Sequence, residues 1–129
     1  MIEFIRNFTF YTLLILALAS IQIVGAQDRV TVNRAIQFQK GKISAAVSGR
    51  IRRGTSHVYR VRAREGQQMA VVLKTVNRIS FTISARRAGI LEGADGVRQT
   101  LIDLPETGEY EIQIGTDANA NYTLEITIK

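Results

Sequence analysis

The chain contains no cysteine, a single histidine and a single proline. The first absence rules out a disulfide framework, a thiolate-bound metal and a lipid-modified cysteine at an export cleavage point. The lone histidine, His57, has no Ser, Asp or Glu that strand periodicity would bring beside it, so no constellation for acid–base or nucleophilic chemistry is in view. Beside a predicted turn, it reads as a rim side chain. Helical periodicity is missing as well: beyond the first 26 residues no segment of useful length carries an apolar stripe at helical spacing. Together these absences argue against an enzyme, and against a metal or organic cofactor.

What is present begins with a leader. Arg6 precedes the apolar run FTFYTLLILALASIQIVGA, which ends with Val24 and Ala26, three and one residues before Gln27. A signal peptidase cuts such an arrangement, so residues 1–26 are expected to be removed. The alternative is an uncleaved anchor, because the run approaches the ~20 residues a span needs. Thr9, Thr12, Ser20 and Gln22 interrupt it, which favours cleavage. Residues 27–129 then remain, enough for one domain with its own core.

Charge is divided along the chain. Residues 27–91 hold 14 Lys/Arg against two acids, Asp28 and Glu65, a net of +12. Residues 92–129 hold two basic residues against eight acids, a net of −6. A basic chain raises nucleic acid as a partner, but export and the lack of a nucleic-acid-binding motif exclude it. An acidic protein surface or an anionic envelope polymer fits better.

Period-two alternation runs through nearly all of residues 27–129, the pattern of strands with one buried face. Val30, Val32, Ile36 and Phe38 mark a first strand region, with a break in phase near Asn33 and Arg34. Further strands follow at Ile43/Ala45/Val47/Gly49/Ile51, Tyr59/Val61/Ala63, Met69/Val71/Leu73/Thr75 and Ile79/Phe81/Ile83. After the irregular stretch ARRAGILEGADGVRQ come Leu101 and its neighbours, Tyr110/Ile112/Ile114 and Tyr122/Leu124/Ile126/Ile128. About eight short antiparallel strands, with turns roughly every 8–12 residues, predict an all-β, jelly-roll-like sandwich of two sheets about 10 Å apart. Its expected core includes Val47, Ile51, Tyr59, Val61, Val71, Phe81, Tyr110, Ile112, Leu124 and Ile126.

The segment GRIRRGTSHVYRVRARE, residues 49–65, holds six arginines. Read as a hairpin with a three-residue loop at Gly54-Thr55-Ser56, it sets Ile51 against Tyr59 and Gly49 against Val61 on the inner face. Arg50 then meets Arg60 on the outer face, Arg62 meets Ser48, and Arg52 lies beside them. A two-residue loop would mix the faces and is rejected. Opposed like charges destabilise a ladder, so this ribbon needs an acidic counterpart. Either a ligand supplies it, through Arg50, Arg52, Arg53, Arg60 and Arg62, or Glu109, Glu111 and Glu125 on the last strands do so internally.

Two further motifs read as structure. Asp117-Ala118-Asn119-Ala120-Asn121 starts like a calcium loop, but Tyr122 stands where the required glycine belongs and Ile128 where the bidentate acid belongs. It reads as a turn between two strands. Asn121-Tyr122-Thr123 matches a glycosylation sequon, a pattern of low specificity.

Four segments in order, IQFQKGKISAAVSGRI, YRVRAREGQQM, LPETGEYEIQI and YTLEITIK, span nearly all of residues 27–129. In these the chain resembles the bacterial periplasmic inhibitors of goose-type lysozyme, within the pre-peptidase C-terminal (PPC)-like group of secreted β-sandwiches. The resemblance implies a periplasmic or secreted protein that blocks a lysozyme-like enzyme by filling a polysaccharide cleft lined with carboxylates. Arginine suits that task, because its planar fork bonds carboxylate bidentately. The family also implies two contact segments, a tyrosine-rich stretch ahead of the position matching Tyr59 and an arginine-bearing loop between the last two strands. Here the first reads RRGTSHVY, with Gly54 and Ser56 in place of tyrosines, and the second reads GTDANAN, with no arginine. The other reading is a structural or adhesive module of the same group that binds envelope polyanions weakly and has no enzyme target. Neither calls for a cofactor, or for membrane insertion once the leader is gone.

Overall fold

The structure, a computed structural model, describes residues 29–116 and 118–129; the predicted leader and Asp117 lie outside them. The described residues form nine strands: β1 (Arg29–Ala35), β2 (Ser44–Ile51), β3 (Thr55–Ala63), β4 (Gln68–Lys74), β5 (Ile79–Ala85), β6 (Gly89–Ile90), β7 (Gln99–Asp103), β8 (Gly108–Thr116) and β9 (Ala120–Ile128). One sheet has the order β1-β3-β8-β5-β6 and the other β2-β9-β4-β7. The expected sandwich is therefore the fold. The count is nine because two residues of the irregular stretch, Gly89 and Ile90, pair with β5. One pair departs from the antiparallel expectation: β1 runs parallel to β3, with a register shift between Val30 and Val32, just ahead of the phase break in the sequence.

Alternation builds the core. Along β5, Ile79, Phe81, Ile83 and Ala85 are buried and the residues between them only half so; β9 repeats the pattern with Tyr122, Leu124, Ile126 and Ile128. Each sheet has one apolar face, and the two faces bury each other. All of the expected core residues are buried. On β7 the phase differs from the expectation: Leu101 is 66% exposed, while Ile102 and Leu104 are buried.

Pairing, by contrast, overturns the hairpin. β2 pairs with β9, and β3 pairs with β1 and β8, so β2 and β3 belong to different sheets. Ile51 and Tyr59 both point inward, as the hairpin required, but from opposite sides of the core. Residues 52–54 make the crossing. Thr55 closes it by donating from its N–H (3.1 Å) and its Oγ1 (2.6 Å) to the Arg52 carbonyl, and Gly54 supplies a φ of +74° that other residues rarely adopt. Thr55 and Ser56, expected in a loop, open β3 instead. Charge rationalises the outcome: the hairpin would oppose Arg50 to Arg60, whereas the sandwich opposes Arg50 to Asn121, Arg60 to Glu111 and Arg62 to Glu109.

The chain also crosses between sheets from β4 to β5 and from β8 to β9. Because β3 and β5 are antiparallel to β8, and β2 and β4 antiparallel to β9, these three crossings share one end, while β1–β2, β3–β4 and β7–β8 cross at the other. β1 starts at the end that the three share, with Arg29 N–H on the Gly54 carbonyl at 3.3 Å. This crossing end is where functional residues gather.

Candidate functional site

The five arginines singled out in the sequence separate into three places. Arg60 and Arg62 lie on the outer face of the β1-β3-β8-β5-β6 sheet, where Arg60 Nε donates to Asn33 Oδ1 at 2.9 Å and Arg60 Nη1 stands 3.6 Å from Glu109 Oε2. Arg60 thus has an acidic neighbour within its own sheet, and Arg62 stands opposite Glu109 in the register. Exposed pairs of this kind contribute well under about 1 kcal/mol each; their effect is to relieve repulsion along β3. Arg50 lies on the outer face of the other sheet, opposite Asn121. Only Arg52 and Arg53 sit on the crossing end, so the expected shared face of Arg50, Arg60 and Arg62 does not form. Glu125 is likewise on the other sheet, 2.9 Å from Lys74 Nζ rather than near the β3 arginines.

At the crossing end one residue links three turns. Asn119, in the turn before β9, accepts the Arg53 backbone N–H on Oδ1 at 2.9 Å and the Asn77 side-chain amide on its carbonyl at 2.5 Å. The β2–β3 and β4–β5 turns are thereby both fastened to the β8–β9 turn. Thr75 adds a hydrogen bond from Oγ1 to the Asn121 carbonyl at 2.9 Å, and Arg98 Nη2 donates to the Thr75 carbonyl at 2.8 Å. The segment that opens like a calcium loop thus spends Asn119 on the turns and places Asn121 within β9. Arg29, Arg52, Arg53, Arg78 and Arg98 are all exposed on or beside this end. Arg29, Arg78 and Arg98 escape a reading of the sequence because they come from three separate segments that only the topology unites. Glu65, Asp103 and Glu106 lie at the opposite end, at the β3–β4 and β7–β8 connections.

Beneath the turns the two sheets share a buried polar cluster. His57 Nδ1 and Tyr59 Oη, both on β3, each lie 2.6 Å from Tyr122 Oη on β9. His57 is 3% exposed, which corrects the rim position expected for it. Burial holds its imidazole below the usual histidine pKa. Burial first, and then the hydrogen bond shared with Tyr59, push the Tyr122 phenol upward. Gly49 makes room for this ring, since a Cβ there would come within 2.5 Å of Tyr122 Oη.

No chemistry beyond binding emerges from these groups. Among the described residues, no three His, Cys, Asp or Glu side chains cluster in a way that could hold a metal ion. A hollow at the opposite end is lined by Arg62, Arg86 and Arg87 together with Glu65, Glu106 and Glu109. Glu106 there accepts the Arg87 and Ala88 N–H groups at 3.1 and 2.9 Å, a turn-fixing role.

Fold and surface together define a two-sheet β-sandwich that presents a basic end. The solved structures most informative about this chain are those of periplasmic inhibitors of g-type lysozyme. PliG of Aeromonas hydrophila matches with a TM-score of 0.68 and 25% identity over 79% of this chain and 99% of that one. PliG of Salmonella Typhimurium follows at 0.61 and 24%, over 78% and 100%. The pre-peptidase C-terminal domain of a Bacillus anthracis collagenase shares the fold alone, at 0.53 and 13% over 80% and 100%. No family model matches the chain, and no curated protein does so by sequence. These neighbours are the group that the sequence motifs resemble, and the periplasmic character of the inhibitors accords with the location expected from the leader.

Proposed function

We propose that the chain is an exported, non-catalytic binding protein that inhibits a lysozyme-like enzyme by occluding its cleft with the crossing end. The observation that carries this reading is the hydrogen bond from Arg53 N–H to Asn119 Oδ1. It joins the two segments that the resemblance implicates, the stretch before Tyr59 and the turn between the last two strands, within one basic surface. Arg52 and Arg53 are the contact residues of first rank, with Arg50 at the margin. Their guanidinium forks face carboxylates in the partner, and no covalent step is needed. The likeness to PliG of Aeromonas hydrophila supports the class of target.

The test is capture and inhibition of a purified goose-type lysozyme by the exported protein, titrated with salt. Binding that weakens with rising salt, and falls in Arg52→Glu/Arg53→Glu at unchanged melting temperature, supports the reading. Failure of the parent chain to capture the lysozyme, together with salt-labile binding to an anionic polysaccharide, turns it toward an envelope-polymer module.

A further inference from the structure

The β4–β5 turn, residues 75–78, belongs to neither segment that the sequence points to. Its tip residue, Val76, is 99% exposed. A lone exposed valine says little, because folded surfaces carry many apolar atoms. Its setting is what matters here.

The turn is tethered at three points to other parts of the chain. Thr75 Oγ1 donates to the Asn121 carbonyl, Asn77 Nδ2 donates to the Asn119 carbonyl, and the Thr75 carbonyl receives Arg98 Nη2. A fourth bond, from Asn77 N–H to Thr75 Oγ1 at 3.2 Å, closes the turn on itself. A side chain held out to solvent by so many fixed neighbours loses little freedom when a partner covers it, which is the condition under which a contact adds affinity. Around the tip, Lys74, Arg78 and Arg98 are exposed. Lys74, Thr75 and Val76 also wall a shallow groove over β9 whose other side is Ser48, Gly49 and Arg50. Through Asn119 the turn shares its anchor with Arg53.

From this we infer that the β4–β5 turn is a second, pre-organised contact loop of the crossing end, with Val76 as an apolar anchor beside Arg78 and Arg98 and Asn119 as the residue that sets it against Arg52 and Arg53. The partner that fits is an acidic protein cleft with an apolar shelf beside its carboxylates. A bare polyanion has nothing for Val76 to meet. The inference rests on the proposed inhibition of a lysozyme-like enzyme and extends its contact surface.

The experiment measures inhibition of a purified goose-type lysozyme by the exported protein and by Val76→Asp, Arg78→Glu and Arg52→Glu/Arg53→Glu, with melting temperatures alongside. Val76→Asp is expected to weaken inhibition about tenfold or more, as loss of a central anchor does, and to leave melting unchanged because the side chain is exposed. Arg78→Glu is expected to slow association, most strongly at low salt. If both inhibit like the parent while Arg52→Glu/Arg53→Glu does not, the turn lies outside the contact and the inference falls, with the proposed function intact. If the parent chain captures no lysozyme, the proposed function falls and takes this inference with it.

Discussion

His57 Nδ1 lies 2.6 Å from Tyr122 Oη, a contact that joins one sheet of the sandwich to the other inside the core. With His57 neutral and its proton on Nε2, Nδ1 can accept from Tyr122 and Tyr59 can donate to Tyr122, so both hydroxyl protons have acceptors. A protonated ring must instead donate from Nδ1, which reverses the chain and leaves the Tyr59 proton without an acceptor in the cluster. Arg34 on β1 is the charged group felt at Tyr122, whereas burial is what disfavours charge on His57. The register partners of His57 on the neighbouring strands, Val32 and Ile114, carry none.

The sign of the pH dependence follows. His57 is depressed in the folded chain, against about 6.5 when unfolded, so below that value the unfolded state binds more protons. Stability is therefore full above about pH 6.5 and declines as pH falls, levelling once the folded ring protonates. Since the chain has one histidine, melting between pH 7.5 and 5.5 reports on it. His57→Gln should be less stable at pH 7.5 and nearly flat across that range. A variant that retains the parent slope would place the titration elsewhere.

Gly49→Ala should destabilise the protein by about 1–3 kcal/mol, the range for overpacking. A Cβ at that position meets Tyr122 Oη at 2.5 Å and Cζ at 2.7 Å. Urea unfolding measures the loss, and an unchanged midpoint would mean that the ring moves aside freely.

Arg60→Glu/Arg62→Glu sets four acids together on one face, against Glu109 and Glu111. Each like-charge opposition across strands costs a fraction of about 1 kcal/mol, so melting should fall by a few degrees. Lysozyme inhibition should stay at the parent level, since this face is not the crossing end. Equal loss of both would return these arginines to the contact surface.

The exported protein is expected to start at Gln27. Intact mass after secretion reads this directly, and a species retaining residues 1–26 would identify an anchor in place of a leader.

Phase was legible in the sequence and pairing was not. Val47, Ile51, Tyr59 and Val61 fall on the inward face because period two is a property of the strand backbone itself. The same alternation suits a hairpin and a corner that crosses the core, so Arg50 and Arg60 looked like neighbours. What separates them is long-range: Ser48 hydrogen-bonds Thr123 at 3.1 Å across 75 positions. The burial of His57 depends on a tyrosine 65 positions away, and local composition carries no trace of that. Of the three internal outlets proposed for the β3 charge, Glu109 and Glu111 do lie opposite β3, on a strand of matching phase. Glu125 shares that alternation and yet faces Lys74, since alternation is silent on which sheet a strand joins.

The three crossings that share the Arg52 end have one more consequence. Each turn at that end is covalently continuous with a strand in both sheets, so a partner seated there grips both halves of the sandwich at once. The sheets cannot peel apart at that end without breaking the partner's hold. A bound enzyme would work as a clasp on the chain's own fold, and the complex should resist proteolysis and heat beyond the free chain in proportion to how tightly it is held.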